Sequence, residues 1–287
     1  MALNRACLGK IYPPITTEVT RAALQNYARA CNDLNPRYFR ADPPGPIVAP
    51  PMFAVVVTWL SVITAMTDTE LHADLLRLLH VAQDIEFLAP ISAGDSITST
   101  GRIASIETNQ NGETMALELD AHNARGQAVT HITFTVFIRG RRADAQAAKA
   151  EETIRGVQGD RGAPLATVAQ TVDLDQTARY AEASGDRNPI HVDANVAKMA
   201  GLPGIIVHGL CTMAFTASMM VDSLCDGDPA RLRRLAVRFS RPVIPGDTIT
   251  TRVWSAGDRG GRRVLSYETC NSDGVVVIRD GIAEITA

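Results

Sequence analysis

The run Ser184-Gly185-Asp186-Arg187-Asn188-Pro189-Ile190-His191-Val192-Asp193 sets a carboxylate and an imidazole close together in a turn marked by Gly185 and Pro189. Turns and loops carry reactive groups more often than cores do. A carboxylate and an imidazole side by side can divide proton work, one taking a proton from water while the other delivers one. Asn188 is placed to hold either group, or the water. Further on, Val207-His208-Gly209 opens a long apolar run. The first N–H groups of a helix have no partner within it and sit at its positive end. A carbonyl oxygen that turns negative during a reaction is stabilised there. Gly209, lacking a Cβ, lets that carbonyl come close.

Each of these residues also has a plainer reading. Asp186 can cap a turn, Asn188-Pro189 can be turn chemistry alone, and His208 can be a satisfied structural histidine. Asp186, His191 and Asp193 invite a metal, but no further Cys, His or Glu cluster stands at ligand spacing, so no metal is expected. Ser184 is no nucleophile of the G-x-S-x-G kind, because that motif is absent.

The chain repeats itself, and the repeat weighs against the plain reading. Residues 27–38, YARACNDLNPRY, align with residues 180–191, YAEASGDRNPIH, at six of twelve identical positions. Residues 44–49 align with 203–208, and 87–97 with 239–249, in the same order. The first copy keeps Asp33, Asn35 and Pro36 but has Tyr38 for His191, Ala49 for His208 and Pro50 for Gly209. Residues needed only for shape would stand in both copies. One working site and one retired site fit the difference.

The elements that position these residues follow from periodicity. Residues 1–142 form the first repeat, degenerate and non-catalytic. Residues 143–163, rich in Ala, Gly and charge, read as a linker that is helical in part. Residues 164–287 form the second, catalytic repeat. Each begins with a short helix (20–31; 175–183), passes an Asn-Pro turn and enters a long apolar helix (52–67; 210–224). Strands follow, with period-2 alternation at Met115–Leu119 and Ile132–Ile138. In the second repeat 235–239, 248–254, 264–269 and 275–278 play that part. An antiparallel sheet curled around one apolar helix, twice in one chain, is the expected α+β architecture, the two copies pairing as an internal dimer.

Hydrophobic residues make up 46% of 287, enough for two cores, and a net charge of −3 gives no field for nucleic acid. Five scattered cysteines form no C-x-x-C and indicate packed free thiols in a reducing compartment. No secretory signal opens the chain, and a cytoplasmic protein is expected. Residues 43–67 lack charge and are long enough to span a bilayer, but five prolines crowd their first part. A buried core helix accounts for them without a membrane.

The pattern Tyr180-x-x-x-Ser-Gly-Asp-x-Asn-Pro-Ile-His-x-Asp193, with Gly201 and Ile206-Val-His-Gly209, resembles the signature of the R-specific enoyl-CoA hydratases, the hydratase 2 or MaoC-like proteins. Phe239-x-x-Pro-Val-x-Pro-Gly-Asp247 is similar as well, and the first repeat resembles the degenerate half of two-repeat members. The resemblance implies a double hot-dog fold and acyl thioesters of CoA or of acyl carrier protein as substrates. It implies Asp186 and His191 as the catalytic pair, Asn188 as the residue that orients the site and the Gly209 N–H as oxyanion donor. His208, Ser184 and Gly185 are assigned to substrate binding. It implies no metal and no redox cofactor, and leaves a homodimer open. The implied reaction is reversible hydration of trans-2-enoyl thioesters to (R)-3-hydroxyacyl thioesters. A carrier-protein dehydratase, a hot-dog thioesterase and a non-enzymatic acyl-binding module are the alternatives. A retired first half is expected to leave room for a bulky acyl tail.

Overall fold

A computed structural model describes residues 2–40, 46–140 and 162–286. Thr20 accepts a hydrogen bond from the Ala23 N–H and so starts helix α1 (Arg21–Ala30), after the short strand β1 (Ile15–Glu18). The prolines at 50 and 51 hold the next segment to a single 3-10 turn, Pro51–Phe53, before α2 (Ala54–Met66). Four strands follow: β2 (Leu78–Phe87), β3 (Ser96–Asn109), β4 (Gly112–Asn123) and β5 (Ala128–Arg139). The second half repeats the plan with β6 (Ala166–Thr171), α3 (Gln176–Ser184), α4 (Ala194–Met199) and α5 (Gly209–Leu224). It closes with β7 (Leu232–Phe239), β8 (Thr248–Arg259), β9 (Arg262–Cys270) and β10 (Val276–Ile285).

All ten strands join one sheet in the order β1-β3-β4-β5-β2-β7-β10-β9-β8-β6. The order reads alike from either end once the halves are exchanged. The halves meet where β2 pairs antiparallel with β7, from Ala82 opposite Arg238 to Glu86 opposite Arg234. Across that seam the Arg234 guanidinium grips Asp84 with bonds of 2.9 and 2.6 Å and reaches the buried Glu284 at 3.3 Å. Each long helix lies against strands of its own half, α2 on β3 and α5 on β7. Residues 210–221 of α5 are buried without exception. Among the described residues no helix is long and apolar enough to cross a membrane, and the uncharged run ends as a thirteen-residue helix buried on one face, with Leu60 and Ile63 exposed on the other.

A second bridge between halves joins α1 and α3. Arg179 donates to the Arg29 carbonyl (2.9 Å) and to Asn32 Oδ1 (3.0 Å), and the rings of Tyr27 and Tyr180 lie 5.7 Å apart.

Each half opens on a short strand, β1 or β6, ahead of the helix expected to begin it, and β8 runs to Arg259, past the expected stop at residue 254. Two further features depart from the periodicity. β10 runs to Ile285, past the expected stop at residue 278, because Asp280 takes a positive φ of 51° and the register slips between Arg279 and Ile282. That bulge breaks the alternation without ending the strand. Helix α4 was not expected; Asp193 starts it by accepting from the Asn195 and Val196 N–H groups. The expected linker falls almost wholly outside the described residues. All five cysteines are buried and free, and burial pushes Cys225 up to about 11, away from thiolate reactivity.

Candidate active site

Helix α3 ends at Ser184 because Gly185 adopts φ +81°, the left-handed cap that glycine takes without strain. The chain then doubles back. Ser184 Oγ donates to the Tyr180 carbonyl at 2.7 Å and accepts from the Asp186 N–H at 3.1 Å. The Asp186 carboxylate accepts from the Asn188 N–H at 3.2 Å, and Asn188 Oδ1 accepts from the Ile190 N–H at 3.3 Å, starting the 3-10 turn Pro189–His191. His191 is thereby carried inward and buried.

The imidazole of His191 donates from Nδ1 to the Ile206 carbonyl at 2.8 Å. A carbonyl only accepts, so the proton sits on Nδ1 and Nε2 presents a lone pair. His208 donates from Nε2 to the Asp186 carbonyl at 3.0 Å, and its buried Nδ1 has no partner among the described residues. The two rings stack at 3.8 Å and 27°. Burial pushes the Asp186 carboxyl above the ordinary aspartate range, against the pull of His191 and the Asn188 N–H. Burial pushes His191 below the ordinary histidine range and His208 down to about 3. Near neutral pH both rings are uncharged.

Asp186, His191 and His208 each offer an atom within 4.8 Å of the others'. Gly209 begins α5, whose N-terminus has no side-chain cap. A Cβ there would lie 3.2 Å from the Phe239 ring. Glycine is what allows the ring and the first turn of α5 to lie together.

Asp186, His191, His208 and Gly209 thus share one corner, with Asn188 bracing the turn. The side-chain bonds of Ser184 and His208 run to the turn's own backbone. Three further groups belong to the corner. The Ile206 carbonyl fixes the His191 tautomer, and Tyr180 lies with its ring 4.8 Å from that of His208. The third is Trp59, from α2 of the other half, whose indole N–H donates to the Gly185 carbonyl at 3.0 Å. Tyr180 stood in the recognised motif without a role. A backbone carbonyl and a contact across 126 residues leave no signal in composition or spacing.

The first half keeps the frame and lacks the groups. Asn35 Oδ1 accepts from the Arg37 N–H at 3.0 Å, as Asn188 does from Ile190. Tyr38 fills the place of His191, its hydroxyl buried and without a hydrogen bond among the described residues. A cleft of about 240 Å³ borders Ala49, Pro50, Phe87, Leu232 and Arg233.

Residues 157–275 match the MaoC like domain, and residues 6–132 match the FAS1-like, dehydratase domain region. A protein of Dictyostelium discoideum called probable enoyl-CoA hydratase 2 is 30% identical over 74% of this chain and 71% of its own. The 3-hydroxyacyl-thioester dehydratase Y of Mycobacterium tuberculosis is 33% identical over 73% of each. The crystal structure of a MaoC-like dehydratase from Phytophthora capsici superposes with a TM-score of 0.83, at 23% identity, over 100% of this chain and 98% of that one. Two repeats on one sheet, a single complete Asp–His corner and these likenesses converge: the chain belongs to the MaoC-like, hydratase 2 family in its double hot-dog form.

Proposed function

We propose that this protein adds water reversibly across the double bond of trans-2-enoyl thioesters to give (R)-3-hydroxyacyl thioesters. The observation that carries the reading is the gathering of the Asp186 carboxylate and the His191 imidazole within 4.8 Å, the bond from Nδ1 to Ile206 leaving Nε2 as an acceptor, beside the uncapped N-terminus of α5.

A water in that corner donates one hydrogen to each acceptor and keeps a lone pair for C3. As the C3–O bond forms, the π electrons move toward the thioester carbonyl. Its oxygen takes on enolate charge beside the Gly209 N–H. One water proton passes to the pair, with Asp186 as the principal base, and the pair hands that proton on to C2. The product holds the OH at C3 and the H at C2, and the site returns to its starting protonation. Burial suits Asp186 to this work, since a carboxylate raised in pKa is a stronger base. The oxyanion contact adds roughly 3–4 kcal/mol. Dehydration of a 3-hydroxyacyl thioester, the activity in the name of the M. tuberculosis relative, uses the same groups in reverse.

The test mixes purified protein with trans-2-enoyl-CoAs of short, medium and long chain and follows the enoyl absorbance. Wild type is expected to bleach it, and Asp186→Asn to slow the bleaching by ~10²–10⁴-fold. Release of free thiol instead would establish a thioesterase. Full activity in Asp186→Asn would remove the base from the mechanism.

A further inference from the structure

The half without a complete site nevertheless touches the turn that holds Asp186. Trp59 lies on α2, ten residues after Ala49, and its indole spans to the other half. Nε1–H donates to the Gly185 carbonyl at 3.0 Å, and Cδ1 stands 3.3 Å from where a Cβ on residue 185 would sit. That carbonyl is one end of the peptide unit whose other end is the Asp186 N–H. The N–H is itself held by Ser184 Oγ at 3.1 Å.

A peptide unit is planar, so holding both ends fixes its rotation about the chain. Rotation is the freedom most in need of control at this point, because Gly185 sits at φ +81° and has no Cβ to limit it. The next peptide is held in turn by His208, which donates to the Asp186 carbonyl at 3.0 Å. The Asp186 backbone is therefore clamped on both sides. Two of the three clamps belong to its own half; the third is the indole.

The same relation holds across the pseudo-twofold in altered form. Ser218 stands ten residues after His208, as Trp59 does after Ala49, and its hydroxyl pulls down the pKa of the retired Asp33 carboxyl. Each central helix thus presents this position to the other half's aspartate turn. In the retired corner a hydroxyl meets the carboxyl; in the complete corner an indole meets the backbone and leaves the carboxylate to react.

We propose that Trp59 is a positioning residue for Asp186, supplied in trans by the non-catalytic half through its N–H to Gly185. The role rests on the hydratase reading. It predicts a loss in the chemical step and not in substrate affinity, because the indole acts on the backbone that carries the base.

The experiment is a double-mutant cycle on the full chain, with kcat and KM measured on a trans-2-enoyl-CoA that wild type hydrates. Trp59→Phe keeps a ring against Gly185 and removes the donor; Ser184→Ala frees the other end of the same peptide. Each is expected to lower kcat about 10-fold or more, with KM changed less than twofold and the calorimetric Tm within a few degrees of wild type, since small misplacements of a reacting group cost that much. The double variant is expected to lose less than the product of the two single losses, the sign that both act on one peptide. Unchanged kcat, a rise in KM alone, strictly multiplicative losses, or a loss that tracks unfolding would each overturn the role. A folded wild type inactive on every enoyl thioester would overturn the hydratase reading, and this role with it.

Discussion

At the scale of single residues, burial decides protonation. Asp33, the counterpart of Asp186, is 4% exposed, and burial pushes its carboxyl up to about 7. The unfolded chain holds it near 3.8. Between those values the folded state binds the extra proton, so the contribution of Asp33 to stability is present at low pH and is lost as pH rises through about 7. Asp33→Asn removes that dependence. Relative to wild type it is expected to gain stability from pH 4 to pH 8, by up to about 4 kcal/mol from roughly three units at 1.36 kcal/mol each. Urea midpoints at the two pH values read the difference. An unchanged gap between variant and wild type would show that Asp33 stays ionised in the fold.

Element by element, the site depends on where α5 begins. The Phe239 ring occupies the space a side chain at 209 would need, and His80 stands behind that ring with centroids 5.0 Å apart. His80 is itself stacked on Phe134 at 4.0 Å, so the ring has little room to retreat. Gly209→Ala is therefore expected to displace the first turn of α5 and cut kcat 10-fold or more. Adding Phe239→Leu, which shortens the obstacle, is expected to recover part of the loss. If Gly209→Ala alone is fully active, neither the ring nor the first turn is as constrained as the packing indicates. The placement of α5, of the Asn-Pro turns and of the duplicated plan could be read from the chain, because caps, breakers and periodicity are local and occur twice. The candidate corner was legible as a set of neighbouring residues, since Asp186, Asn188 and His191 lie within one turn. Its bracing was not. The Ile206 carbonyl carries no side-chain identity, and Trp59 is an apolar-helix residue like its neighbours until the halves are folded together. The alternation that marks β10 stops at residue 278 for a local reason, the bulge at Asp280, although the strand itself runs on to Ile285.

For the molecule as a whole, one continuous sheet makes the halves interdependent. Arg234 joins β7 to Asp84 on β2 and to the buried Glu284 on β10. Arg234→Met takes the guanidinium from Asp84, while Glu284 keeps Arg262 at 3.2 Å and Arg259 at 3.5 Å. The expected cost is about 1–3 kcal/mol, below the 3–5 kcal/mol of a fully buried pair because Arg234 is partly wet. Scanning calorimetry is expected to show one cooperative transition at a lower Tm. Two resolved transitions would mean that the seam does not couple the halves.

The β2–β7 seam has a consequence for heredity. In an assembly of two identical chains, every substitution appears on both sides of the interface at once. A Tyr at position 38 or a Pro at position 50 would then spoil both corners together. With both sides of the seam in one polypeptide, a substitution strikes one side only. One corner can lose its imidazole and its glycine while the other keeps them, and a residue such as Trp59 can be selected for what it does to its neighbour.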